Sequence, residues 1–272
     1  MSQRRELEAR LSLYDELNGI LGAMRSFALA ELRRVSHREI AQRQLVQALE
    51  IAFNDVSDCL VMQNEAIEET CCEIWLLFGS VRGFCGSFNE DILRFWRTEC
   101  QSTQNAAALI LVGERLHDLA QTPQNTERLR GAQGGLDATN TIDDILAAIK
   151  RVSFDMRRPF QLTACVYDES GPRRQALWPI RPVSSTHKSN LPLTLSPASE
   201  VAANVAEHYL YHRLLALLLC SIRIENHMRL NQMETALRHL EQGCENLQRQ
   251  RNRLRQEEIV EEIELMISSR RS

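Results

Sequence analysis

Apolar residues recur in steps of three and four at both ends of the chain and gather into short unbroken runs through its middle. From Leu230 the apolar positions are Leu230, Met233, Leu237, Leu240, Cys244, Leu247 and Leu254, interrupted by Arg251. That is a heptad seam, which stays facing one partner helix only if the two wind around each other with a left-handed twist. The first helical segment carries the matching stripe Leu7, Leu11, Tyr14, Leu17, Leu21, Met24, Ala28, Leu32 and Val35. The spacing predicts helices over Arg10 to Leu60 and Val205 to Met266, with the seam of one closing on the stripe of the other. No proline lies between Met1 and Glu50 or after Pro197, so neither helix is interrupted by one. At ~1.5 Å per residue, sixty helical residues reach roughly 90 Å. Gly19 and Gly22, each costing about 1 kcal/mol relative to alanine, are expected where the helices pack closely, the alternative being a place where the first helix bends or twists.

The middle has another period. Glu73 to Gly79, Ala107 to Val112 and Gln161 to Tyr167 are short apolar runs rich in aromatic and β-branched residues, the pattern of buried strands. Phe88 to Cys100 and Thr141 to Val152 have helical spacing; the second is expected to open on Thr141 as N-cap, with Asp143 and Asp144 in its first turn. Strands alternating with helices predict a mainly parallel sheet. Thr122 to Asn140, with Gly131, Gly134 and Gly135, reads as a mobile surface loop. The fold class is therefore α+β/α: a long antiparallel coiled coil of the terminal helices plus a Rossmann-like α/β domain. Its parts are expected at 1–60, 72–185 and 200–272, the last packed on the first.

Composition narrows the function. With 272 residues, 44% hydrophobic, 25% charged and a net charge of −4, the chain can bury an ordinary core and offers no basic excess for nucleic acid. The start to Arg10 is charged, without the apolar core of an export signal, and the chain is expected to stay inside the cell. Leu214 to Cys220, the most apolar stretch, is far short of the ~20 residues of a spanning helix. Cys71 and Cys72 are adjacent and Cys59, Cys85, Cys100, Cys165, Cys220 and Cys244 are scattered; no C-x-x-C pair seeds a zinc site, so free thiols and no metal are expected.

The turn after the first strand, Gly79 to Asn89, contains Gly79, Gly83 and Gly86 but has neither the spacing nor the lysine of a phosphate loop. Ser87 lacks a nucleophile elbow, and the histidines show no metalloprotease spacing. No cofactor is expected. Cys85, beside Arg82, reads as a small residue in a tight turn rather than an activated thiol.

Three stretches resemble one family, the gamma subunit of F-type ATP synthases. Ile20 to Arg25 (I-x-x-A-M-R) and Leu32 to Arg34 (L-R-R) are similar to its first helix. Arg82 to Asn89, RGFCGSFN, is similar to the family's RGLCGGLN turn and carries Arg82, Gly83, Cys85, Gly86 and Asn89. Glu225, Arg229 and Met233 lead into Asn252 to Ile263, NRLRQEEIVEEI, against N-R-A-R-Q-A-x-I-T-x-E-I. Val81, Glu31, Arg251 and Val260 depart from the family's aspartate, lysine, tyrosine and threonine, marking a divergent member, suited to a main or an alternative synthase.

The resemblance implies a rotor shaft without catalytic residues, turned by an ion-driven ring of c subunits, beside epsilon, inside a hexamer of alpha and beta subunits. It places the chain at the cytoplasmic face of a bacterial inner membrane. It assigns Met24, Arg25, Asn252, Arg255 and Gln256 to contacts with beta, the last two as a hydrogen-bonding catch. Ile259, Ile263 and Met266 become the tip in an apolar bearing, and Leu191 to Glu200 approaches the c ring. The residues alone also admit a non-rotary scaffold with a coiled-coil handle, or a small-molecule enzyme using the Gly79 to Asn89 turn.

Overall fold

The computed structural model describes residues 2–57, 72–102, 106–120, 125–156, 158–180 and 194–269. Cys59 and Cys71, the residues 58–60 that close the first expected helix, and 191–193 of the stretch expected near the c ring lie outside them. In chain order the elements are α1 (Ser2–Val56), β1 (Cys72–Phe78), α2 (Phe88–Ser102), β2 (Ala106–Val112) and α3 (Glu114–Leu119), then β3 (Thr126–Leu129), α4 (Ala138–Met156), β4 (Phe160–Asp168), β5 (Gly171–Trp178) and α5 (Ala198–Ser269). Two compact units result, Met1–Leu29 with Arg229–Ser272, and Ala30–Met228. No helix among the described residues is long and apolar enough to cross a membrane.

In the first unit the two helices run antiparallel. Arg4 pairs with Glu258 at 3.4 Å and Arg25 with Glu234 at 3.2 Å, so rising numbers on one helix meet falling numbers on the other. Met233 and Ala28 are fully buried, and Leu21, Leu237, Leu240, Leu247 and Leu254 are half-buried along the seam. Leu17 departs from the expected seam: it is 39% exposed. The buried side passes from Leu11 and Tyr14 to position 18, a step of three followed by one of four, which leaves Leu17 one residue behind it. Asn18 is half-buried instead.

The close approach of the helices also differs from expectation. A Cβ added at Gly19 or Gly22 would meet nothing within 4 Å, so neither glycine is a packing residue. Gly243 is: a Cβ there would stand 2.5 Å from the Tyr14 ring. The sequence pattern hid this because a lone glycine in a heptad reads as a weak point in the helix.

The second unit holds a five-stranded sheet of order β3-β2-β1-β4-β5, parallel except for β4 with β5. Alternate β1 residues build opposite faces. Ile74, Leu76 and Phe78 join Ile110, Val112 and Ala164 under Ile142, Ile145 and Ile149 of α4 and the Leu214–Ile222 stretch of α5. Trp75 and Leu77 join Leu109, Leu111 and Cys165 under Phe88, Ile92, Leu93 and Trp96 of α2 and Leu116 of α3. Leu32 is half-buried and Val35 fully buried on the part of α1 in this unit.

Two further expectations are corrected. Thr141 is not an N-cap: α4 begins at Ala138, and the Thr141 hydroxyl bonds back to the Asp137 carbonyl at 3.3 Å, inside the helix. The described part of the Thr122–Asn140 stretch is no mobile loop either. It pairs β3 with β2, Gly131 lies against Val81 and Gly113, and Gly134 and Gly135 lie against α1. The buried Glu31 carboxylate accepts the Gly135 N–H at 2.8 Å, and Arg38 donates to the Gly135 carbonyl. A side chain at Gly134 would collide with that carboxylate, so the glycines are there to let backbone reach the helix.

Candidate functional site

Two regions carry the sequence-derived candidates, the turn after β1 and the far part of α5. The turn sits at the carboxyl end of β1. With β2 to one side of β1 and β4 to the other, this is the switch point where open α/β sheets bind ligands. Here the crevice is filled. The Ser221 hydroxyl of α5 donates to the Phe78 carbonyl at 3.4 Å, Ile222 joins the core on one face of the sheet and Ile224 the core on the other.

The turn is folded around its own polar groups. Asn89, buried, accepts the Ser80 N–H through Oδ1 at 2.9 Å and donates through Nδ2 to Ser80 Oγ at 2.8 Å. The buried Cys85 thiol donates to the same hydroxyl at 3.3 Å. The amide that a phosphate loop would offer a ligand is thus used internally, and Cys85 is a small buried link in the turn. Gly86 takes φ 60°, while Arg82 and Gly83 are half-buried. Sequence reasoning missed Phe84. Its φ of 61° is strained for a bulky residue, and the residue is 63% exposed.

On the far part of α5 the charges sort into paired and unpaired. Arg249 pairs with Glu245 at 3.5 Å and Arg253 with Glu257 at 2.9 Å, both one helical turn apart. Asn252, Arg255 and Gln256 are exposed, and their side chains bond to nothing among the described residues. Ile259, Ile263 and Met266 are exposed, joined by Val260, Leu265 and Ile267, which the stripe pattern did not single out. Six apolar side chains around one helix end need cover from another surface.

Met24 is half-buried, and exposed Arg25 pairs with Glu234 of α5. Both ends of that ion pair are wet, so it exchanges easily for another carboxylate. Leu230 is half-buried at the start of the α5 segment that belongs to the first unit.

Among the described residues no three His, Cys, Asp or Glu side chains come together as a metal site. Burial raises the Cys165 thiol to about 12, with Glu99 adding to the effect, which keeps it protonated and unreactive. Buried Glu73 accepts from Thr163 at 2.8 Å and from Arg174 at 2.7 Å, a saturated structural pair.

Comparison with known proteins adds the lineage. No curated protein sequence matches significantly. Among solved structures, a chain of the Euglena gracilis mitochondrial ATP synthase rotor in rotational state 1 superposes with TM-score 0.59 at 14% identity, covering 95% of this chain and 99% of that one. A chain of the OSCP/F1/c-ring assembly of the same enzyme in rotational state 3 gives 0.60 at 16% identity, covering 98% and 93%. One from the Tetrahymena thermophila mitochondrial ATP synthase central stalk and c-ring gives 0.55 at 19% identity, covering 80% and 99%. At such identities the likeness is one of fold. The sequence itself matches the ATP synthase family model over residues 3–271, and the chain therefore belongs to the gamma-subunit family of ATP synthases.

Proposed function

We propose that this chain is the turning central shaft of its synthase, coupling rotation of an ion-driven membrane ring to conformational change at catalytic sites on surrounding beta subunits. It contributes no catalytic residue of its own. Alpha and beta subunits enclose it, and the c ring and epsilon meet its α/β part. The complexes named for its structural neighbours, with rotor, central stalk, F1 and c-ring, support that set of partners. The working parts are residues 1–60, 72–185 and 200–272. In a bacterium the chain lies peripherally on the cytoplasmic face of the inner membrane.

The observation that carries the reading is the state of Arg255 and Gln256. Their neighbours Arg249 and Arg253 are neutralised within the helix, whereas this guanidinium and amide stand exposed and bond to nothing among the described residues. A planar guanidinium beside an amide suits a directional hydrogen-bonding catch that engages a beta loop and lets go. Asn252, one turn earlier, extends the same contact. Met24 supplies a deformable surface, and Arg25 trades Glu234 for an acidic loop of beta. Ile259, Ile263 and Met266 run in an apolar bearing. Arg82, Gly83, Cys85, Gly86 and Asn89 shape the foot turn.

The test is Arg255→Ala in the reconstituted complex. ATPase turnover should fall while the chain's helicity stays unchanged. Unaltered turnover removes the catch, and failure of the chain to co-purify with nucleotide-binding subunits removes the rotor reading itself.

A further inference from the structure

Beside the β4–β5 hairpin, within the second unit, lies a cavity of about 340 Å³ that the rotor role does not use. Three arginines line it, Arg43 from α1, Arg173 from β5 and Arg213 from α5, against one acidic residue, Glu50. Val46 and Leu217, both buried, contribute the floor.

The arginines are held but not saturated. Arg43 gives Nη2 to Glu39, and Arg173 gives Nε to Asp168 at 2.6 Å and Nη1 to Gln175 at 3.3 Å. Each retains further N–H donors, and Arg213 makes no ion pair among the described residues. Fixing two of the forks through their own carboxylates lowers the ordering cost of binding. A single carboxylate ligand is satisfied by one fork; three forks on one cavity match the three oxygens of a phosphate dianion. The apolar floor calls for something besides phosphate.

We propose that this cavity binds a phosphate monoester whose organic part rests on Val46 and Leu217. Two sources share that chemistry, a soluble metabolite and the headgroup region of an anionic lipid.

Calorimetry on the full chain at 150 mM NaCl, with phenyl phosphate and with inorganic phosphate, tests it. Phenyl phosphate should bind saturably with one site per chain and more tightly than inorganic phosphate. Arg213→Gln should weaken it at least tenfold. Arg213→Lys, which keeps the charge and loses the fork, should fall between. Arg130→Gln, on the far side of β3, should change nothing. Vesicles of phosphatidylcholine with phosphatidic acid separate the sources: co-sedimentation that is lost in Arg213→Gln assigns the lipid, and its absence beside phenyl phosphate binding assigns the soluble ester. No saturable binding, equal binding by Arg213→Gln, or tighter binding of a polyglutamate peptide than of phenyl phosphate would each overturn the proposal.

Discussion

Gly243→Ala and Gly22→Ala are the same chemical change in the same unit, and the structure gives them opposite signs. Replacing glycine within a helix by alanine gains about 1 kcal/mol from backbone entropy. At Gly22 nothing lies within 4 Å of the new methyl group, so that gain is realised in full. At Gly243 the methyl carbon would stand 2.5 Å from Tyr14 Cε1 and 3.3 Å from its Cζ and hydroxyl. Carbon atoms rest about 3.5–4.0 Å apart, so the ring must retreat by roughly 1 Å or the helices must part. Overpacking of this kind costs about 1–3 kcal/mol, which cancels or exceeds the gain. Thermal unfolding of the full chain, followed by circular dichroism, separates the outcomes. A chain of this size shifts by ~2–4 °C per kcal/mol, so Gly22→Ala melts a few degrees higher than the parent and Gly243→Ala at or below it. Tyr14→Ala combined with Gly243→Ala should show a coupling of opposite sign to the clash. If Gly243→Ala stabilises as much as Gly22→Ala, the helices do not meet at Tyr14 and the antiparallel pairing is misplaced.

Met233→Ala opens a cavity at a fully buried seam position and should cost about 2–5 kcal/mol in chemical denaturation; a loss below 1 kcal/mol removes it from the seam. Asn89→Ala orphans the buried Ser80 N–H and should cost about 1–3 kcal/mol, with faster exchange of the Ser80 amide as its signature. Acid should destabilise the chain through His212. Burial, and then the charge of His208, hold this imidazole below its ordinary value, and Gln42 Nε2 donates to Nδ1 at 2.8 Å, which requires the neutral ring. The folded state thus binds fewer protons than the unfolded one. Its stability is present above pH ~6.5 and is lost as pH falls through the folded value. Melting temperatures should drop between pH 7 and pH 5, and a His212→Gln variant with an equally steep drop would clear this residue.

What the sequence revealed was set by the length of each pattern. Helices of fifty residues and more repeat their period many times, so α1 was legible from Leu7 and Leu11 onward and α5 from Leu230 and Met233; the structure starts α1 earlier, at Ser2, and ends it at Val56, and it lengthens α5 to Ala198–Ser269. The buried strands β1, β2 and β4 announced themselves as unbroken apolar runs. Hidden elements were those whose residues lack such runs: β3 (Thr-Glu-Arg-Leu) and β5, with its consecutive arginines, lie at sheet edges, where one side needs no apolar cover. The glycines were misread for a related reason. Gly134 and Gly135 have the same local signature as a flexible loop, and only the distant Glu31 shows that they make room for a contact. A resemblance in short motifs located Arg255 and Gln256, but their lack of partners is a three-dimensional fact that no spacing rule contains.

The switch point of the sheet ties the glycine turn to α5. In an open α/β sheet the carboxyl ends of strands on either side of the reversal leave a crevice, and a glycine turn beneath a helix offers its amides to a phosphate placed there. This chain retains the sheet order and the glycines, yet Ser80 gives its N–H to Asn89, and Ser221 and Ile224 of α5 occupy the place a ligand would take. A nucleotide would have to displace a buried helix segment from both faces of the sheet at once. Filling the crevice with α5 thus does two things with one set of contacts: it closes the position where open α/β sheets commonly bind substrate, and it fastens the helix to the sheet through both cores. Helix and sheet then answer a twisting load together, a requirement for a part that transmits force and a hindrance for one that must open to admit a ligand.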